Sequence, residues 1–273
     1  MGINPIQYHP WKGERGAQNL RVYVILRSAF RHLMKSMGVK ALLILAFVII
    51  YAFQFIMVPM SHHERLEADE MNANFSGLTL AIFAMLLAAV VTSGLISEDL
   101  SGSSFVLYFS RAIRTRDYLI GKSGGATLVM SFLCAIPPVL LAVISIVTQS
   151  GSDYLHSMSV LGRTAVAGAL ATVFFVPYGM MMSSFTTRKS YAAIGTFMSF
   201  SVLTIIAEVF SEFDEAWRVI SPLETLSFTF DWIFAQPIPS FVNESTLLGF
   251  LTCFTVIPAF VLYVRVQRKA VGK

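Results

Sequence analysis

The chain alternates between long apolar runs and short polar connections, and six of the runs have spanning length. They cover residues 41–60, 78–96, 126–147, 165–185, 192–210 and 247–263. Each is close to the ~20 residues that a helix rising about 1.5 Å per residue needs to cross a ~30 Å hydrocarbon core. The runs are continuous rather than alternating, which predicts helices and not barrel strands. Ahead of the first run, Val22, Ile25, Leu26, Ala29, Phe30, Leu33 and Met37 recur at three- and four-residue intervals, with Arg21, Ser28, Arg31, His32 and Lys35 on the other side. That spacing predicts an amphipathic helix suited to lying flat at the cytoplasmic interface, the alternative being a charged stop before the first span.

Composition agrees with this reading. The chain is 55% hydrophobic and 13% charged, against roughly 25% charged in soluble domains. The expected fold is an all-α polytopic membrane protein, a single transmembrane domain over 1–273. It comprises a cytoplasmic N-terminus to residue 40 with its interfacial helix, a bundle of six transmembrane helices over 41–263, and a cytoplasmic tail over 264–273. Cys134 and Cys253 both lie in apolar runs and make neither a disulfide framework nor a metal site. No cleavable signal peptide is expected, because the first run starts only near Lys40 and is too long for one.

Charge orients the bundle. Lysine and arginine gather before the first span, between spans two and three (Arg111, Arg114, Arg116, Lys122), after span four (Arg188, Lys189) and after span six (Arg265, Arg268, Lys269, Lys273). The opposite connections carry only Arg65, Arg163 and Arg218, together with most of the acids. The positive-inside rule then puts both termini in the cytoplasm. The net charge of +4 hides this asymmetry, and the basic side faces membrane phosphates and cytoplasmic partners, not nucleic acid.

The connection over 98–122 is longer than a turn requires. It holds a short apolar patch, Phe105-Val106-Leu107-Tyr108-Phe109, followed at once by Arg111, Arg114 and Arg116. On a short helix, these would set aromatic knobs beside guanidinium groups, the residue types enriched in binding hot spots. An interfacial helix without any partner is the competing reading. Glu98 and Asp99 stand where span two leaves the membrane, placed to pair with nearby arginines or to cap the next helix. A proton relay lacks a path, since the nearest further acid, Glu208, falls near the outer end of span five.

Ile-Ser-Glu-Asp-Leu at 96–100, Leu-Tyr-Phe-Ser-Arg at 107–111 and Arg-Asp-Tyr-Leu-Ile-Gly-Lys at 116–122 resemble the membrane permease of type-2 ABC exporters. The likeness extends over the whole chain in topology but is confined to this connection in motif, and Ala112 stands where that family commonly has proline. The resemblance implies that Phe105 to Arg111, with Tyr108 and Phe109, form the coupling helix that touches a separate nucleotide-binding subunit. It also implies that Glu98, Asp99, Arg111, Arg114, Arg116 and Lys122 frame that helix. ATP and magnesium would then sit on the partner ATPase, with no cofactor in this chain, and a second permease would complete the pathway. The implied location is a prokaryotic cytoplasmic membrane.

Gly121-Lys122-Ser123 looks like the end of a P-loop, but Arg116 occupies the position of the required earlier glycine and no strand precedes it. The external segment with His62, His63, Glu64, Glu67, Asp69 and Glu70 reads as an acidic solvated loop ahead of a metal site. Asn74-Phe75-Ser76 and Asn243-Glu244-Ser245 are glycosylation sequons on the outer side, meaningful only on a eukaryotic secretory route. Pro137-Pro138 should kink span three, either as a hinge or as a fixed bend. Ala165, Ala167, Gly168, Ala169 and Ala171 offer a close-approach surface on span four. The aromatics between Phe213 and Pro239 suit the outer interface, or a short helix pair roofing the pathway. The lack of an intramembrane charge favours an amphipathic or peptide cargo. The rival classes are an ion-driven secondary transporter, which should show midplane charges and inverted repeats, and a membrane scaffold.

Overall fold

The computed structural model describes residues 20–60, 68–102, 113–148 and 154–270. Among them the regular elements are all helical. In chain order the α-helices are α1 (Leu20–Lys35), α2 (Met37–Ile50), α3 (Ala52–Met60), α4 (Ala68–Ser76), α5 (Leu78–Ser101), α6 (Thr115–Cys134), α7 (Ile136–Thr148), α8 (Tyr154–Phe185), α9 (Lys189–Ser211), α10 (Pro222–Phe234) and α11 (Glu244–Ala270), with a 3-10 turn at Glu215–Ile220 before α10. Among the described residues four helices are long and apolar enough to cross a membrane: α5, α8 from Ser157, α9, and α11 to Lys269. Up to six segments qualify if α1 with α2, bent by 76°, and α6 with α7, bent by 43°, each count as one.

Helix α5 is the axis of the bundle. Its most apolar window is 61% buried, against 17% in α9 and 22% in α11. It packs against α8 on one side, α9 on another, and α2 and α6 besides. Phe174, Phe175, Tyr178 and Phe200 lock α8 to α9, with ring centroids 4.5 Å apart for Tyr178–Phe200 and 5.5 Å for Phe175–Phe200, a separation at which aromatic pairs add to plain area burial.

Ser36, extended at φ −66° and ψ 124°, turns the chain from α1 into α2. Helix α1 therefore lies across the line of α2 and packs along α6. The apolar stripe suited by pattern to a membrane interface is in part covered by protein: Ile25, Ala29 and Leu33 are buried, whereas Tyr23, Val24, Arg27 and Arg31 are exposed. The expected first span, 41–60, is interrupted at Tyr51. The backbone ladder nevertheless continues, with Tyr51 N–H donating to Phe47 O and Phe55 N–H to Tyr51 O, both at 2.9 Å.

The bend expected at Pro137-Pro138 falls at Ala135, between α6 and α7. Both prolines occupy the first turn of α7, where their missing N–H groups would have had no intrahelical acceptor in that helix, and both are buried. The carbonyl of Leu133, which Pro137 cannot serve from four residues on, instead accepts the Tyr51 hydroxyl at 3.1 Å. Tyr51 is fully buried, so the interruption in the first apolar run braces the bend in the third. Tyr51→Phe leaves that carbonyl without its donor in apolar surroundings. We expect a loss of about 1 kcal/mol, within the range for one interhelical hydrogen bond, read as an unfolding midpoint in detergent micelles.

At the other end, α4 and α10 pack together, with Phe75 against Phe230 at 5.1 Å and Phe234 at 5.8 Å. Phe228, Phe230 and Phe234 are buried in the protein, while Phe213, Trp217 and Trp232 remain exposed. The aromatics between Phe213 and Pro239 thus divide between core and surface. Ser221 caps α10, its hydroxyl accepting from Glu224 N–H, and Pro222 follows in the first turn, a favoured pairing. Asn74 of the first sequon lies within α4 and bonds Gln54. Of the external histidine-acid segment, residues 61–67 lie outside the described residues.

Candidate functional site

The described ends of the expected 98–122 connection are helical. Helix α5 continues through Glu98 and Asp99 to Ser101, and α6 begins at Thr115. Both acids therefore sit in the last turn of α5, where the helix dipole disfavours anions. Two lysines and a histidine from three other helices face the acids. Lys122 Nζ of α6 lies 3.0 Å from Asp99 Oδ2, and the Tyr118 hydroxyl donates to the same oxygen at 2.6 Å. Glu98 meets His32 Nε2 of α1 and Lys189 Nζ at the start of α9, each at 3.2 Å.

The two acids differ in burial. Asp99 and Lys122 are 14% and 13% exposed, so their attraction is weakly screened and each depends on the other for compensation. Glu98 is 40% exposed, with partners more exposed still, and its pairs fall in the class worth under about 1 kcal/mol each. Gly94 makes room for the Glu98 carboxylate: a Cβ there would stand 2.7 Å from Oε1. A small polar cavity of about 160 Å³ lies between α1, α5 and α6, lined by Ser28, His32, Glu98, Asp99 and Lys122 among others.

Of the residues expected at this site, Glu98, Asp99 and Lys122 come together. Phe105, Tyr108, Phe109 and Arg111 lie outside the described residues. Arg114, which precedes α6, and Arg116 in its first turn are exposed. Among the described residues the partners of the two acids are Lys122, Lys189 and His32. For Lys122 the reason is helical geometry. Tyr118 and Lys122 are four apart and share a face of α6, and that face is the one turned to α5. Sequence reasoning missed His32, Tyr118 and Lys189. The four-residue spacing of Tyr118 and Lys122 was a legible signal, but nothing local pointed to His32 or Lys189.

The glycine of Gly121-Lys122-Ser123 serves packing. A Cβ at Gly121 would lie 2.6 Å from Ile25 Cγ2, and one at Gly125 would lie 2.7 Å from Ala29 Cβ and 3.1 Å from the backbone of α1. The glycines of α6 form the groove that seats α1, with Lys122 directed to Asp99 beside it. One turn below the acids, Ser183 of α8 donates to Ser93 O at 2.7 Å and accepts the N–H groups of Ile96 and Ser97 at 3.3 and 3.1 Å. A single buried hydroxyl thus stitches α8 to α5 just beneath the charge cluster.

Fold and site together define an all-α, membrane-embedded protein in which one partly buried ion pair ties the end of a central helix to the start of the next. No protein-family model matches the chain, and no curated protein matches it in sequence.

Proposed function

We propose that this chain is the permease subunit of an ATP-driven exporter of the type-2 ABC class, with six spans, both termini cytoplasmic, and ATP hydrolysis on a separate nucleotide-binding subunit. The observation that carries this reading is the Asp99–Lys122–Tyr118 clasp. It joins the two roots of the connection that bears Phe105, Tyr108, Phe109 and Arg111, and Glu98 adds α1 and α9 to the same junction. A push on a segment held at both roots passes into α5 and α6 together instead of being absorbed by loose chain. Closure of the partner ATPase pair would thereby tilt the central helix of the bundle and alter access between two permeases. An amphipathic or peptide cargo suits a pathway without a midplane charge.

The test is a pull-down of the tagged full chain from host membranes. An ATPase subunit should co-purify with the wild type and be lost from Phe109→Glu and Arg111→Glu, which put an anion into the aromatic-cationic surface. Retention of that subunit by both variants, or its absence from the wild type, would remove the coupling role from this connection and favour a secondary transporter or a scaffold.

A further inference from the structure

The last turns of α11 carry a second feature, whose lining shares no residue with the clasp. Two neighbouring rows run up this helix at four-residue intervals, Phe260–Val264–Arg268 and Val261–Arg265–Lys269. Each passes from apolar to cationic toward the helix end. They line an open groove of about 370 Å³, within the range of small-ligand sites.

Arg265 is held in place at this groove. Its Nε donates to Ser184 O at 2.8 Å, and its guanidinium lies 4.2 Å from the centre of the Phe185 ring. It thereby caps the C-terminus of α8. Arg268 and Lys269 are exposed above it, and among the described residues no carboxylate pairs with either. The helix dipole draws cations to a C-terminal turn, but it gives no reason for an apolar groove directly beneath them. Phe260, two turns below Arg268, is 65% exposed.

We propose that this groove binds one anionic glycerophospholipid. Its phosphate sits between Arg268 and Lys269, and an acyl chain runs down past Val264 and Val261 to Phe260. Charge complementarity selects the headgroup, and the apolar row selects a lipid over a soluble phosphate. The site depends on the chain's lying in a membrane and not on any partner ATPase, so its fate and that of the exporter reading are separate.

The experiment is lipid titration of the purified full chain in non-ionic detergent, followed by native mass spectrometry. Phosphatidylglycerol is compared with phosphatidylcholine of the same acyl chains. The wild type should take up one phosphatidylglycerol at least about tenfold more tightly than phosphatidylcholine. Arg268→Gln combined with Lys269→Gln should weaken phosphatidylglycerol about thirtyfold, the effect of two cations near a lipid surface. Both positions are exposed, so folding is spared, whereas Arg265 is left intact because it caps α8. Val264→Trp keeps every charge but fills the groove, and it should also lose the lipid. Arg27→Gln combined with Arg31→Gln removes the same charge from the exposed face of α1 and should leave binding unchanged. Equal uptake of the two lipids, or equal weakening by the α1 pair, would overturn the proposal. Competition by glycerophosphoglycerol, which has no acyl chains, would replace it with a free-phosphate site.

Discussion

Asp99→Ala is expected to cost up to about 3 kcal/mol of stability, the lower end of the range for removing one partner from a buried ion pair, because this pair keeps some contact with solvent. The substitution strands Lys122, which is 13% exposed, and deprives the buried Tyr118 hydroxyl of its acceptor. The loss comes from an uncompensated ammonium in a low-dielectric setting more than from a missing attraction. A second substitution therefore tests the cause. Asp99→Leu combined with Lys122→Met removes both charges and should recover most of the stability, because apolar replacements of a buried pair are often neutral. Denaturation in mixed micelles measures both. If the double variant is as unstable as Asp99→Ala, the clasp acts through shape or through Tyr118 and not through charge. Glu98→Ala is the internal comparison, and its exposed pairs predict a change under about 1 kcal/mol.

Gly168→Val is expected to open the contact between α8 and the bend at Ala135. A Cβ at residue 168 would stand 2.8 Å from Ala135 Cα, 2.9 Å from Cys134 O and 3.1 Å from Ala135 Cβ. Those atoms are backbone or the first side-chain carbon, so no rotamer change relieves the clash and the helices must separate. Overpacking of this kind costs about 1–3 kcal/mol, and more where backbone has to move. Cys134 lies at the contact and is fully buried, whereas Cys253 is exposed. In a Cys253→Ser background, maleimide labelling of Cys134 should be negligible in the wild type and rapid in Gly168→Val. Gly195→Ala is the control, since nothing lies within 4 Å of its Cβ position, and labelling should stay slow. Slow labelling in Gly168→Val would mean that α8 does not rest on this bend.

Both predictions concern residues that the sequence flagged for a different reason or only in part. Gly168 belonged to a small-residue surface read from composition alone, and its neighbour proved to be the backbone of a broken helix in the same chain. The Pro137-Pro138 kink was legible because proline's missing donor is a local property. Its brace was not, since Tyr51 lies in a different apolar run and its hydroxyl carries no sequence mark of the carbonyl it serves. Glu98 and Asp99 were visible as acids leaving a span. Their partners Lys122, Lys189 and His32 were not legible together, because that choice depends on which face of α6 meets α5 and on which helices lie beside them.

Helix class, the approximate limits of the apolar runs and the segregation of basic from acidic connections belong to the sequence by itself. Each follows from a local cause: the need of a spanning backbone to satisfy its own hydrogen bonds, and the cost of moving charge through hydrocarbon. The tertiary structure alone decided which helix became the axis, that α1 would pack along α6, and which side chains would meet the acids at the end of α5. Those outcomes turn on the close approach of surfaces far apart in the chain, where a single glycine or hydroxyl sets the distance, and no periodicity along one helix encodes the neighbour it will meet.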